Sequence, residues 1–373
     1  MGLELKIASA NMEHWIVADG ELIDGRKRKP RDFETKLAWA KSVFGATRPH
    51  IIGMQEIYDD SIQKAFEDFG PYKFHYSGGA RQQVALATTL PLAGEPDAIK
   101  MIQQLEKPIE ITRNGLTLKV DSLSRPILRA RLVHEGETLT VFVAHLKSKI
   151  PSYGDDPQQT YPEEELLTAD FSARPLGNLV SLARRAAEAA ALRREVVQEA
   201  EAFPDRPIIV CGDLNDDAGA VTTDMVLGDS MRTFIENRHQ LSDEQLDIIY
   251  GRLHQHLLTS AQDAQTRTSA QSEFHTAVHE GRFSTLDHVF LSRHFFPKPR
   301  VVRGVFKQSY FFNYYEVAND HLVDDASEFA PRKPASTDHG VVFVYCKKAA
   351  AAAPLDAEPA HVAPNQPNDL ALV

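Results

Sequence analysis

The chain has very little cysteine and no long apolar run. Among its 373 residues only two are cysteines, Cys211 and Cys346, and each lies in an apolar stretch, which excludes a disulfide framework and a cysteine-based zinc site. No run of about 18 apolar residues occurs, and the first residues show no basic segment followed by an apolar one, so we expect neither a membrane span nor a secretory signal. These absences predict a cytoplasmic protein with no membrane partner.

Positive charge is also in deficit. The chain has 41 Lys and Arg against 52 Asp and Glu, a net charge of −11, which argues against a protein that coats nucleic acid but not against one that cleaves it. The excess acid lies in Pro151–Asp170 and Asn313–Ala330, two segments that we expect to restrict which polyanions enter a nearby site. One basic run, Arg26–Arg31, is either a solvated loop or a segment that follows a polyanionic backbone.

The order of apolar runs predicts an α/β chain with mixed sheets. Helical spacing occurs over Asp32–Thr47 and Asn178–Phe203, and successive runs within Leu116–Ala144 indicate antiparallel hairpins. The predicted strands are Leu3–Ala8, His50–Met54, Val84–Thr88, Leu116–Val120, Ile127–Val133, Thr138–Ala144, Pro207–Cys211, Leu286–Leu291, Arg300–Val305 and Val341–Tyr345. We expect one catalytic domain over residues 1–346 and a disordered Ala- and Pro-rich tail over residues 347–373.

Polar side chains stand at the ends of several of these apolar runs. They are Asn11, Glu56, His145, Asp213 with Asn215, Asp287 with His288, and Asp338 with His339. Any one of them alone is typical of a turn or a helix N-cap. Together, the carboxylates and amides form an all-oxygen set that suits Mg²⁺ or Mn²⁺. Carboxylates gathered at one rim repel one another unless a dication neutralises them, so convergence and metal binding support each other.

The motifs around these residues occur in a definite order. They are Asn11, Gln55–Glu56, His145–Ser148, Gly212–Asp216, Asp287–His288 and Thr337–His339. In combination they resemble the endonuclease/exonuclease/phosphatase superfamily, and HLKSK from His145 is similar to its bacterial nuclease-type branch. The resemblance implies a deoxyribonuclease I-like fold, a four-layer α/β/β/α sandwich with two mixed β-sheets. It also implies divalent-metal-dependent hydrolysis of a phosphoester.

The resemblance further implies roles for ten residues. Metal ligation falls to Glu56, Asn11 and Asp338. The implied catalytic residues have three roles. Asp213 and Asn215 align the attacking water and hold the phosphate, and Asp287 orients His339. His145 binds the phosphate or acts as the leaving-group acid. Phosphate binding falls to Arg125 and Lys147. An Asp that accepts a hydrogen bond from a His ring raises its pKa, so the imidazolium can stabilise a charge-rich transition state.

The role of His145 has an alternative. In the deoxyribonuclease branch a glutamate supports the corresponding histidine, whereas Arg81, Gln82 and Gln83 occupy that region here. His145 is therefore either a phosphate binder and acid or a structural histidine at the rim.

The phosphate-binding arginine also has alternatives. Arg125 contacts phosphate or forms a surface ion pair, and in the second case Arg129 or Arg131 makes the phosphate contact. His288 follows Asp287 on a predicted strand, so its side chain should point to the opposite face and have a structural role.

The substrate prediction is a nuclease that hydrolyses DNA with Mg²⁺ or Mn²⁺. The aromatic residues of Tyr310–Tyr315 either stack on unpaired bases or pack within the core. One alternative is a phosphatase or phosphodiesterase that acts on a small-molecule or lipid phosphate, which would have a narrow pocket instead of a groove. A second is a catalytically inactive binding module, against which the complete set of site residues argues.

Overall fold

The structure, a computed structural model, describes most of the chain between residues 4 and 349. The described residues are 4–17, 30–79, 82–102, 109–113, 116–152, 173–228, 240–269, 274–279, 281–298, 307–322 and 336–349. Several predictions fall outside them: the basic residues 26–29, residues 153–170 and 323–330 of the two acidic segments, the strand predicted over residues 300–305, and the tail from residue 350.

The described chain contains both strands and helices, and β3 to β9 follow one another without a described helix between them. The strands are β1 (Glu4–Trp15), β2 (Ile51–Ile57), β3 (Lys73–Tyr76), β4 (Gln83–Thr88), β5 (Asp97–Met101), β6 (Ile109–Arg113), β7 (Leu116–Val120), β8 (Ser122–His134), β9 (Glu137–His145), β10 (Ile208–Asp213), β11 (Leu258–Ser260), β12 (Ala277–His279), β13 (Arg282–Ser284), β14 (Asp287–Ser292), β15 (Tyr310–Ala318) and β16 (Val341–Lys348). The helices are α1 (Pro30–Thr47), α2 (Ala173–Ala202), α3 (Val221–Leu227), α4 (Asp243–His256) and α5 (Ala261–Thr266), with 3₁₀ turns at Asp60–Ala65 and Arg293–Phe295.

Two six-stranded mixed sheets form the middle of the molecule. The first has the order β15-β16-β1-β2-β4-β3 and the second β11-β14-β10-β9-β8-β5. In each sheet one central pair is parallel, β1 with β2 and β9 with β10, while the other pairs are antiparallel. The sheets pack face to face, because alternate apolar residues of both enter one core. That core includes Ile7 and Ile51 from the first sheet and Val141, Ile209 and Val289 from the second.

Helices cover the outer faces of both sheets. Phe33, Ala40 and Phe44 of α1 pack on the first sheet, and residues of α2 at helical spacing, among them Leu192 and Val196, pack on the second. The layers are therefore helix, sheet, sheet, helix, which confirms the predicted four-layer α/β/β/α sandwich. None of the described helices combines the length and apolar character needed to cross a membrane.

Some elements differ from the prediction. The first strand runs on to Trp15 past an irregularity that follows Asn11, and the last strand runs to Lys348, two residues beyond the expected end of the domain. The aromatic residues Tyr310–Tyr315 belong to β15, where Tyr310 and Tyr315 are buried in the core between the sheets. These two rings therefore pack inside the protein, and the base-stacking alternative is wrong for them.

Candidate active site

The parallel pairs of the two sheets direct the predicted site residues to one edge of the sandwich. In the second sheet, Asp213 at the end of β10 lies opposite His145 on β9 and opposite Asp287 on β14. In the first sheet, Asn11 lies opposite Gln55, next to Glu56. Three residues that are far apart in the sequence thus become neighbours across β10, because the parallel strands β9 and β10 end at the edge where the antiparallel strand β14 begins.

Asn11 connects the two sheets at this edge. Its side-chain nitrogen donates to Asp213 Oδ2 at 2.9 Å and lies 3.4 Å from Glu56 Oε1. The amide oxygen of Asn11 accepts the backbone N–H of Glu13 at 2.9 Å. The amide therefore acts here as a donor to both carboxylates and fixes their spacing.

A histidine and an aspartate form the tightest charged contact of the site. His339 Nδ1 lies 2.7 Å from Asp287 Oδ2, and the Asp287 side chain is fully buried. Burial lowers the pKa of His339, but the Asp287 carboxylate outweighs it and, with Asp213 and Asp338, raises the pKa well above its ordinary value. His339 is therefore an imidazolium at neutral pH, as predicted from its pairing with an aspartate.

Two threonines hold this pair in place. Thr276 Oγ1 accepts the backbone N–H of Asp287 at 3.1 Å. Thr337 Oγ1 accepts the N–H of His339 at 3.2 Å and donates to the carbonyl oxygen of Asn11 at 2.7 Å. Thr337 thereby ties His339 to the Asn11 backbone of the first sheet.

Asp213 is buried beside a neutral histidine. Burial raises the pKa of Asp213 to about 7, with a contribution from Asp287 and against the charge of His339. His145 Nε2 lies 3.4 Å from Asp213 Oδ2, but burial, followed by the charge of Arg125, lowers the pKa of His145 well below its ordinary value. The contact is thus between a carboxyl group and a neutral imidazole, not an ion pair.

Asn215 is held in a conformation that few residues adopt. Its φ is 54°, its backbone N–H donates to Asp213 Oδ1 at 2.8 Å and its side chain donates to the carbonyl oxygen of Leu146 at 3.0 Å. Glu13, His14 and Glu56 also have positive φ angles. Such backbone outliers gather where surrounding contacts over-determine the conformation, as at functional sites.

Glu56 has a partner that the sequence did not indicate. The backbone N–H of His14 donates to Glu56 Oε2 at 2.9 Å, and His14 Nδ1 lies 2.9 Å from the Tyr58 hydroxyl. The interruption of β1 after Asn11 turns this backbone toward β2. A tight bend of two non-glycine residues leaves no local sequence signal, so His14 was missed.

The donor chemistry of the site fits a hard dication. Glu56 and Asp213 present carboxylate oxygens around Asn11, and Asp287 Oδ1 is buried without a hydrogen-bond partner among the described residues. One ligand atom from each of Asp213, Asp287 and His339 lies within 4.8 Å of the others, and His339 Nδ1 is already engaged with Asp287. Most of the candidate ligand atoms are oxygens, which Mg²⁺ and Mn²⁺ prefer.

Asp338 lies beside this centre on the exposed side. Its side chain is exposed, and its charge contributes to the raised pKa of His339. The carboxylate is thus close enough to act on the site electrostatically while it remains open to solvent.

Arg125 lies beside the second-sheet half of the site. Its Nε donates to Gln82 Oε1 at 2.9 Å and one terminal nitrogen donates to the Leu146 carbonyl oxygen at 3.2 Å. Gln82, from the region in which the sequence offers no glutamate to support His145, thus supports Arg125. His145 Nδ1 has no hydrogen-bond partner within the described part of the chain.

The other basic candidates have partners of their own. Arg131 pairs with Glu199 at 2.8 Å and Arg129 with Asp97 at 3.1 Å, so both guanidinium groups already contact carboxylates, and the alternative in which one of them contacts phosphate stays a prediction. The Lys147 ammonium donates to Ser148 Oγ at 3.1 Å.

His288 has the structural role that its position on a strand predicts. It is buried, and its Nε2 lies 2.9 Å from the backbone oxygen of Asp216. Burial lowers its pKa, which suits a neutral ring that supports the loop after β10.

Comparisons with known proteins assign the family. The sequence model of the Endonuclease/Exonuclease/phosphatase family matches residues 36–339, whereas no curated protein matches the chain. An endonuclease/exonuclease/phosphatase from Bacteroides vulgatus is 12% identical with a TM-score of 0.52, over 93% of this chain and 100% of that chain.

Two further solved structures share the fold. A family protein from Bacteroides thetaiotaomicron is 15% identical with a TM-score of 0.51, over 93% of this chain and 98% of that chain. A mannosyl-6-phosphatase from Bacteroides thetaiotaomicron VPI-5482 is 15% identical with a TM-score of 0.50, over 92% of this chain and 99% of that chain. By the extent of the sequence match, and in agreement with its fold, the chain belongs to the endonuclease/exonuclease/phosphatase family, a family of phosphoesterases.

Proposed function

We propose that the protein is a phosphodiesterase dependent on Mg²⁺ or Mn²⁺, and specifically a nuclease that hydrolyses DNA. The observation that carries the proposal is the contact of His339 with the buried Asp287 at 2.7 Å, at the edge where Asp213 and Glu56 meet through Asn11. A fixed positive charge beside converging carboxylates suits the hydrolysis of a phosphoester, whose transition state gathers negative charge on the phosphoryl oxygens.

Residues of the second sheet, together with His339 from the segment before β16, have the reacting roles in this proposal. Asp213, with its backbone partner Asn215, aligns the attacking water and accepts its proton. His339, oriented by Asp287, donates a hydrogen bond to the phosphoryl group. His145 is neutral, so in this proposal it contacts the phosphate or the leaving oxygen through a ring N–H and not through a charge.

The residues of the first sheet provide the metal site in this proposal. Glu56 would hold the ion, with Asn11 and Asp338. The amide of Asn11 donates to the carboxylates in the present arrangement, and a rotated amide would present its oxygen instead. A bound dication supplies Lewis-acid polarisation of the phosphate and a more acidic water.

Arg125 and Lys147 complete the binding side. The guanidinium of Arg125 already has two fixed acceptors, and its remaining N–H groups suit phosphate oxygens. In this proposal Lys147 acts through its charge, since its ammonium donates to Ser148.

A substrate panel tests the proposal. Purified protein is incubated with supercoiled plasmid, single-stranded DNA, RNA, a bis-aryl phosphodiester and an aryl phosphomonoester, each with Mg²⁺, with Mn²⁺ or with a chelator. We expect metal-dependent cleavage of DNA. Cleavage of the monoester alone would favour the phosphatase alternative, and no hydrolysis of any substrate would refute the enzyme.

Matched variants test the assigned roles. Asp213→Ala and His339→Ala should each lose about 10²–10⁴-fold in kcat while the fold is retained. Asp224→Ala is the control, because Asp224 is an exposed carboxylate on α3. Wild-type turnover in either site variant would refute its role.

A further inference from the structure

Two buried charged residues of α2 contact the backbone on which the proposed phosphate-binding residues stand. Arg185 and Glu188 are three positions apart, so they lie on one face of the helix, and their exposed fractions are only 5% and 1%. Neither contacts Glu56, Asp213, Asp287 or His339 in any hydrogen bond of the described chain. Burying a charge this deeply raises the free energy of the folded state unless the charge is fully hydrogen-bonded. The hydrogen-bond partners of the two residues therefore indicate what these residues do.

Glu188 accepts hydrogen bonds from strand β8 and from the loop after β9 at once. Its Oε1 accepts the backbone N–H of Ser124 at 2.8 Å, and its Oε2 accepts the backbone N–H of Lys147 at 2.6 Å. Ser124 directly precedes Arg125, and Lys147 follows His145 by two residues. One carboxylate thus fixes the backbone beside both proposed phosphate-binding residues.

Arg185 binds the backbone oxygen of Lys147, whose N–H Glu188 accepts. Its terminal nitrogen donates to the backbone oxygen of Lys147 at 3.2 Å, and its Nε lies 3.4 Å from Asp216 Oδ2. Asp216 belongs to the loop after β10 that also carries Asn215. Lys147 is therefore held at its N–H by one residue of α2 and at its C=O by another.

The residue before Lys147 transmits this constraint to the site. The carbonyl oxygen of Leu146 accepts hydrogen bonds from Arg125 at 3.2 Å and from the Asn215 side chain at 3.0 Å, and the Leu146 N–H donates to the carbonyl oxygen of Asp213 at 3.0 Å. A shift of the Lys147 peptide would therefore move the acceptor that both side chains share.

We propose that Glu188, assisted by Arg185, is a positioning residue that holds Arg125, Asn215 and the His145 loop in the geometry required for phosphoester hydrolysis. The inference rests on the proposed function for its kinetic consequence, while the hydrogen bonds that carry it are independent of any activity.

A second buried glutamate of the same helix provides a matched control. Glu199 is 2% exposed and accepts hydrogen bonds from Arg131, Arg206 and Thr140. Thr140 lies near the start of β9, at the end opposite to His145. Glu199→Gln therefore removes an equally buried charge from the same helix without touching the active-site loops.

The kinetic test compares Glu188→Gln with Glu199→Gln. The glutamine amide at position 188 can accept only one of the two N–H bonds and directs its own NH₂ at the other. Because small displacements of positioned groups cost up to about 100-fold, we expect kcat/KM to fall about 10–100-fold in Glu188→Gln and less than about threefold in Glu199→Gln. The Mg²⁺ concentration for half-maximal activity should stay within about twofold in both variants, since Glu56 lies in the first sheet. A general loosening of the fold would change that concentration as well.

Two further measurements keep the test decisive. Glu188→Asp retains the charge but is too short to reach both N–H groups, so it should show the same loss of kcat/KM even if Glu188→Gln folds poorly. In NMR spectra, the Arg125 Nε–H and Asn215 side-chain resonances should shift in the Glu188 variants and stay unchanged in Glu199→Gln.

The outcomes separate this inference from the proposed function. If the wild-type protein hydrolyses nothing, the proposed function fails, and the NMR shifts still decide whether Glu188 positions these side chains. Unmoved Arg125 and Asn215 resonances in folded Glu188 variants would overturn the inference. So would equal kinetic losses in Glu188→Gln and Glu199→Gln.

Discussion

At the scale of single residues, the contrast between the two proposed catalytic histidines is the main electrostatic feature. His145 is buried at the site and His339 is partly buried, yet the pKa of His339 is raised and that of His145 is lowered. The difference comes from their neighbours. His339 contacts the Asp287 carboxylate directly, whereas His145 is surrounded by cations such as Arg125 and His339 itself. The neighbours of each ring thus favour the charged form of His339 and the neutral form of His145.

Asp287→Asn is the residue-level prediction. Without the Asp287 carboxylate, the pKa of His339 should fall, so the alkaline loss of activity moves to lower pH and kcat falls about 10²–10³-fold. NMR titration of the His339 ring in metal-free protein measures this change, and the buried His288 ring is the internal control. An unchanged His339 titration would contradict the role of Asp287.

The same pair has a defined effect on stability. The pKa of His339 is higher in the folded than in the unfolded state, so the pair stabilises the fold fully below a pH of about 6.5. That contribution is lost as the pH rises through the folded pKa. In Asp287→Asn this part of the pH dependence of the free energy of unfolding should disappear.

At the scale of elements, the close approach of β9 and β10 determines where Asp213 and His145 stand. The two strands are parallel, with Gly212 opposite Ala144 and Asp213 opposite His145. A Cβ atom on Gly212 would lie 2.3 Å from the backbone oxygen of Ala144. Backbone cannot move aside as a flexible side chain can, so only glycine fits before Asp213.

Gly212→Ala is the element-level prediction. The clash should lower the free energy of unfolding by about 1–3 kcal/mol and reduce activity by displacing Asp213, as measured by urea denaturation and plasmid cleavage. Gly251→Ala on α4 is the matched control, because a Cβ there meets nothing within 4 Å. It should raise stability by about 0.5–1 kcal/mol, since alanine is the better helix former. Equal effects of the two changes would contradict the packing argument.

At the scale of the whole molecule, both cysteines report on the contact between the sheets. Cys211 of β10 and Cys346 of β16 are fully buried in the same core, one from each sheet. Burial raises the pKa of both thiols, so neither is a reactive thiolate in the folded protein.

Thiol labelling is the prediction at this scale. In native buffer both cysteines should react with an aromatic disulfide reagent only at the rate of global unfolding, and in urea both should react at once. The single variants Cys211→Ala and Cys346→Ala assign the two rates. Rapid labelling of one cysteine in native buffer would show that its sheet opens locally.

Much of the fold was predictable because its signals are local. Strands such as β2, β10 and β16 are buried on both faces and read as continuous apolar runs, and α1 and α2 show helical spacing. Short or edge strands such as β3 and β5 carry charged and polar residues, so their sequences do not distinguish them from loops. These strands form because a neighbouring strand pairs with their backbone.

For the site, the sequence alone determined the chemistry of the candidate residues and their positions at strand ends, because a polar residue after an apolar run is a local pattern. Only the tertiary structure decided which groups meet. Asn11 and Asp213 are 202 positions apart and form a hydrogen bond, Gln82 supports Arg125 and not His145, and Glu188 reaches the loops from a helix. These pairings depend on strand order, register and sheet packing, because these three features bring distant segments together. A single stretch of sequence does not determine any of them.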